Sequence, residues 1–157
     1  MINQFFPSKI VIEGHEHEFD LSADVRVNTA DLNTEFCKQA ELFARYSTGY
    51  ELSLCETNKL ELHIDRLRAQ LDYQGRMEAT SAGIKFTEKM AEHYVNGHAD
   101  FLVASEELLQ AKKITGLLKQ AKDAIVQKKD MLQQLGPIQR EERRADISMK
   151  IEALKQS

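Results

Sequence analysis

The stretch Leu60–Arg76, LELHIDRLRAQLDYQGR, decides the fold. Leu60, Ile64, Leu67 and Leu71 follow one another at steps of four, three and four. That spacing places them in one stripe along an α-helix. Arg66, Arg68 and Arg76 lie beside or just beyond the stripe, and Tyr73 and Gly75 follow its end. A buried stripe edged by cations and an aromatic suits a nucleic-acid strand, and it suits equally an ordinary helix with a solvated rim.

Outward from this stretch the helical pattern continues. Upstream, the apolar positions run Leu32, Phe36, Ala40, Phe43, Tyr50 and Leu54, with Ser47 and Thr57 at weaker places. Asn28 or Thr29 is the expected N-cap, and Asp31 and Glu35 fall in the first turns, where they suit the helix dipole. A helix of about 45 residues would be roughly 65–70 Å long, which requires a similarly long partner helix from the same chain or another. Downstream, Gly75–Lys85 breaks the pattern, with Ser81, Ala82 and Gly83 as a tip. Residues 87–95 predict a short helix, which Asn96-Gly97 ends.

A second long pattern starts near His98. It uses Phe101, Leu102, Leu108, Ala111, Ile114, Leu118, Ala121, Ile125, Leu132 and Leu135. Lys128 and Lys129 stand where this stripe should continue. Either their stems pass the core edge to reach water, or they form a cationic band facing a groove. Gly136-Pro137 predicts a stop, followed by a polar helix over 138–155 with Ile147, Ile151 and Leu154 as a narrow stripe. Arg140, Arg143 and Arg144 of that helix are interleaved with acids, which suits a solvated or oligomer-contact helix, although phosphates are a second option.

Before the helices, residues 1–8 read as a lead-in. Lys9–Glu13 and His17–Leu21 read as two strands joined at Gly14. His15 and His17 can share a face of a strand, but no further Cys or His stands at ligand spacing, so no metal is expected. The chain therefore divides into a hairpin arm (1–28), a long helical hairpin core (29–136) and a polar C-terminal helix (137–157). The fold class is mainly α, a coiled-coil-like oligomeric bundle with a small N-terminal β-hairpin.

The bulk composition fits this division. The 157 residues are 42% hydrophobic and 29% charged, with seven glycines, two prolines and no Trp, which favours a folded chain of long helices. Charge is uneven. Residues 1–58 hold four cations and ten acids, 59–111 six and nine, and 112–157 eleven and six. The basic end offers an anion-binding surface or an attraction to the acidic end within an oligomer. Cys37 and Cys55 read as small buried residues of a reduced compartment. No long apolar run is present, so a soluble cytoplasmic protein is expected, in contact with no membrane. No Gly-x-Ser-x-Gly, His-Glu-x-x-His or Cys-x-x-Cys occurs, and neither an enzyme nor a cofactor is expected.

The segment Leu67-Arg-Ala-Gln-Leu-Asp-Tyr-Gln-Gly-Arg76 resembles the Leu-Lys-Ala-Arg-Leu-Asp-Tyr stretch, followed shortly by Gly-Arg, of the UvsY-like recombination mediators of phages. Ala124–Lys129 is similar to that family's Ala-Ile-Lys-Ser-Arg stretch, and Phe86–Lys89, Asp100 and Lys128–Gly136 also resemble it, over roughly residues 40–136 in all. The resemblance implies a helical protein that oligomerises with itself into a ring, in the host cytoplasm. Such a protein binds single-stranded DNA and helps a RecA-like recombinase replace single-strand-binding protein. Arg68 matches the first of two family cations that contact DNA, and Gln70 stands at the second, with Arg66 one turn back. The implied DNA contacts are Arg66, Arg68, Tyr73, Arg76, Lys85, Lys89, Lys128 and Lys129. The alternative is a helical scaffold or adaptor that binds only protein. A small regulatory inhibitor is a third possibility.

Overall fold

The computed structural model describes residues 6–155, with the side chains of 153–155 left aside. The element order is β1 (Lys9–Ile12), β2 (His15–Glu18), α1 (Leu21–Asp24), α2 (Leu32–Ser81), α3 (Glu88–Gly97) and α4 (Ala99–Lys155). The mainly helical class holds, with long helices α2 and α4 packed together and a two-stranded hairpin before them. By contact, the chain forms two compact units. One contains Glu18–Thr48 and the chain from Lys119 on, with the residues before Ile10. The other contains Gly49–Leu118 with Ile10–His17.

The hairpin is shorter than its pattern suggested. Glu13 and Gly14 both take positive φ, 50° and 78°, so the turn is a two-residue one whose twist matches the strands. Ile10 and Ile12 point to the buried side at 2% and 1% exposure, while Val11 faces out. Lys59 pairs with Glu13 and ties the turn to α2.

In the first unit, Asp20 caps α1 by accepting from the Ala23 amide, 3.0 Å. Asp31, rather than Asn28 or Thr29, caps α2. Its carboxylate accepts from the Thr34 amide (3.2 Å) and the Thr34 hydroxyl (2.6 Å). Asn28 instead holds a turn through the Ala30 amide. On α2 the buried positions are Leu32, Gln39 and Tyr46, spaced by seven. On α4 they include Ala121, Ile125, Lys128 and Leu132. This is the seven-residue repeat of helices packed knobs into holes. Phe36 and Phe43, expected in the stripe, are more than 40% exposed, and Ala40 is exposed as well. Repeated steps of four drift around the helix, whereas steps averaging 3.5 stay on the partner.

In the second unit, the seam of α2 runs through Ser53, Thr57, Leu60, Ile64, Leu67, Leu71, Gly75 and Ala79. Thr57 and Thr115 share a hydroxyl contact of 2.9 Å, and Thr115 also donates to the Ser53 carbonyl at 3.1 Å. Ile64, Leu71, Val95, Phe101 and Ala104 form the core, with Leu67, Tyr94 and Leu108 against it. Leu102, placed in the stripe from sequence, is 51% exposed.

Two expected breaks fall differently. α2 runs past Gly75 to Ser81, and the turn comes at Gly83, whose φ is 67°. Gly75 lies inside the helix because the rings of Phe86 and Tyr94 pack against it. A Cβ there would sit 2.8 Å from Phe86 Cζ. α4 runs through Gly136-Pro137 without a stop. Gly136 does not take the left-handed conformation of a helix cap, and its missing Cβ removes much of the clash that drives a residue before proline out of the helical region. The separate C-terminal helix is thus the last turns of α4. Cys37 and Cys55 are exposed free thiols. Each stands two residues before a seam residue, Gln39 and Thr57, and so about 160° around the helix from it.

Candidate nucleic-acid interface

The eight expected contacts fall into four places. Arg66 and Tyr73, seven residues apart on α2, share its solvent side with Leu62 and Met77. Two turns of helix separate Arg66 from Tyr73, about 10 Å. Tyr73 is 66% exposed, so it is not a core tyrosine closing the helix. Leu62 and Met77 are also more than half exposed. The result is an apolar and aromatic strip with a cation in its middle.

Arg68, Arg76 and Lys89 lie elsewhere, along a groove of about 940 Å³ between α2 and α3. Asp65, Asp72, Glu88 and Glu92 line the same groove. Arg76 Nε donates to Asp72 at 2.9 Å, and its Nη2 donates to Glu88 at 3.1 Å. The bond to Asp72, then that to Glu88, raises the guanidinium above its already high value, so its charge is committed. Arg68 Cζ stands 5.5 Å from the Phe101 ring centre, and Arg76 Cζ stands 5.7 Å from that of Phe86. These are packing contacts of cations on aromatic faces. With four carboxylates among three cations, the groove does not present a run of positive charge. The Asp72–Arg76 pair was legible as an i,i+4 spacing. The acids contributed by α3 gave no such signal.

Lys85 is exposed in the connection between α2 and α3, where Phe86 anchors the chain. Tyr94 donates to both carboxylate oxygens of Glu78 at 3.1 Å. Burial, then that bond, pushes its phenol up.

In the other unit, Lys129 is exposed beside Asp130. Lys128 is different. It is 4% exposed, its Nζ lies 2.7 Å from Glu35 Oε2, and it donates to the Asp24 carbonyl at 2.8 Å. Neither sequence-based option, a stem passing to water or a cation facing a groove, describes it. The ammonium is turned into the seam and held there by a carboxylate. Around it, Gln39 Nε2 donates to the Ile125 carbonyl at 2.7 Å, and Tyr46 donates to Asp24 at 2.9 Å. Arg45 pairs with the same Asp24 oxygen. Burial, then the Asp24 carboxylate, raises the Tyr46 phenol, which stays a neutral donor.

Among the described residues, no group of three or more His, Cys, Asp or Glu side chains is placed to hold a metal ion, and no helix is long and apolar enough to cross a membrane. No family model, curated protein or solved structure matches this chain.

Proposed function

We propose that this protein is a non-enzymatic recombination mediator of the UvsY-like kind. It binds single-stranded DNA as a homo-oligomer and assists a RecA-like recombinase in replacing single-strand-binding protein. The observation that carries the reading is the open strip Leu62–Arg66–Tyr73–Met77 on α2, where an exposed aromatic ring stands two turns from an exposed guanidinium. Bases stack on such a ring regardless of sequence, and a cation at this distance meets phosphate. One strip is a weak site, and repetition around an oligomer multiplies it. Lys85 and Lys129 are exposed cations of the set outside the acid-lined groove that holds Arg68, Arg76 and Lys89. Lys128 takes no part.

Fluorescence anisotropy of a labelled oligo-dT, titrated at low and moderate salt, tests this. Tyr73→Ala should weaken binding about ten- to hundred-fold, the cost of one lost stack. Arg66→Glu should flatten the salt dependence. Wild-type protein that leaves the oligonucleotide free at low salt defeats the reading.

A second reading, a scaffold that binds only protein, is favoured by one observation. The groove between α2 and α3 holds more carboxylates than cations, and Arg76 is engaged by two of them. Binding of protein partners with no effect from Tyr73→Ala would select it.

A further inference from the structure

The last turns of α4 are better sorted than their sequence suggests. At 100° per residue, Arg140, Arg143, Arg144, Lys150 and Ile151 all lie within about 60° of Ile147. Glu141, Glu142, Asp146 and Glu152 lie about 100° or more away. The acids that interleave the arginines along the chain are thus absent from the arginine face. Every one of these residues is exposed, with Ile147 at 58% and Ile151 at 47%. Among the described residues, none of the four cations has an ion pair or a hydrogen bond through its side chain.

The second unit carries the complementary surface. A groove of about 690 Å³ has an apolar lining of Val11, Leu60, Val103, Leu109 and Ile114. Glu56, Glu106 and Glu107 line the same groove. Among the described residues these three carboxylates also have no ion pair. Val11, Val103 and Leu109 are each more than half exposed.

We infer that the Arg140/Arg143/Arg144/Ile147/Ile151 face of one copy docks in the groove lined by Glu56, Glu106 and Glu107 of a second copy. The inference rests on the homo-oligomer part of the function proposed above and names the surfaces that build it. An amphipathic helix laid in such a groove can place its isoleucines on the apolar lining and its guanidiniums against the carboxylates set among it. The two surfaces differ, so the contact is head-to-tail. Such contacts close into rings when the rotation permits.

The test is a charge exchange on the full chain, read as mass by light scattering after gel filtration, without DNA. Variant A is Arg140→Glu, Arg143→Glu, Arg144→Glu. Variant B is Glu56→Lys, Glu106→Lys, Glu107→Lys. Helicity by circular dichroism confirms that each folds. Each alone should fall to the 18.0 kDa monomer. Mixed in equal amounts, they should regain assemblies containing both, because the reversed face of A then fits the reversed groove of B. Wild-type protein at monomer mass removes the homo-oligomer itself. A wild-type oligomer with A and B still at wild-type mass overturns the docking and leaves the oligomer standing. Dissociated variants that do not recombine on mixing also overturn it. In a separate anisotropy titration, a variant A that keeps the wild-type mass but no longer binds oligo-dT marks the face as a nucleic-acid contact, and the docking falls.

Discussion

The two units add different chemistry to an apolar seam on the same two helices. In the second, α2 offers Ile64 and Leu71 to Val95, Phe101 and Ala104. In the first, the same helix offers Glu35 and Gln39, which α4 answers with Lys128 and the Ile125 carbonyl, and Tyr46, which donates to Asp24 of α1. An apolar core accepts many partners of similar volume, since dispersion and burial carry no direction. A buried ion pair accepts one register, because a slip of the helices would leave each charge alone in a poor solvent. Buried apolar side chains stabilise both units, Leu32, Ile125 and Leu132 among them in the first, and there Lys128 with Glu35 adds a pair that only one alignment satisfies.

Five variants probe that contrast. Lys128→Ala leaves Glu35 buried without its partner and should cost about 3–5 kcal/mol in urea unfolding. The double change Lys128→Met with Glu35→Leu should recover most of it, at the expense of a unique register. If Lys128→Ala is neutral, the contrast between the units is wrong. Leu71→Ala removes core volume that no polar contact replaces, and about 2–5 kcal/mol should be lost by the same measurement. At Gly75 an added methyl meets Phe86 and Tyr94, so Gly75→Ala should destabilise by up to about 2 kcal/mol after its gain in helix propensity. Gly116 is the control. Nothing lies within 4 Å of its added Cβ, and Gly116→Ala should stabilise by about 1 kcal/mol.

The smallest effect is an acid one. Bonds from the Thr34 hydroxyl and amide hold the Asp31 carboxyl below its ordinary 3.8. A lowered value in the folded state means that its contribution is complete above that ordinary value and is lost as pH falls through the folded one. Circular dichroism from pH 5 to 2 should show Asp31→Asn losing less helix over this range than wild type.

The sequence made the second unit readable because its core residues are apolar and regularly spaced. Leu60, Ile64, Leu67 and Leu71 face inward as their steps of four, three and four require. The first unit misled for a physical reason. Glu35, Gln39 and Lys128 look like surface residues until their partners across the seam are known. With those positions discounted, the stripe was drawn through Phe36 and Phe43, which flank the seam rather than fill it: both are more than 40% exposed, and the Phe36 ring lies beside Gly136 of α4. Gly136-Pro137 misled similarly, since each residue alone is a helix breaker and only together do they fit one. Of the expected contacts, the exposure of Arg66 was legible. The locking of Arg76 was not, because Glu88 reaches it from another helix.

The unbroken course of α4 through Pro137 has a consequence for local opening. Proline has no amide hydrogen, so the carbonyl of Gln133, four residues earlier, lacks its usual backbone donor. The hydrogen-bonded ladder is interrupted there even though the axis continues. Residues 138–152 are exposed, apart from half-buried Gln139, and have little packing to protect them. Amide exchange along α4 should therefore show two plateaus, slow before Gln133 and fast after Pro137. The last turns would then unzip and re-form as a unit while the rest of the helix stays closed, coupling or uncoupling without unfolding the protein that carries them.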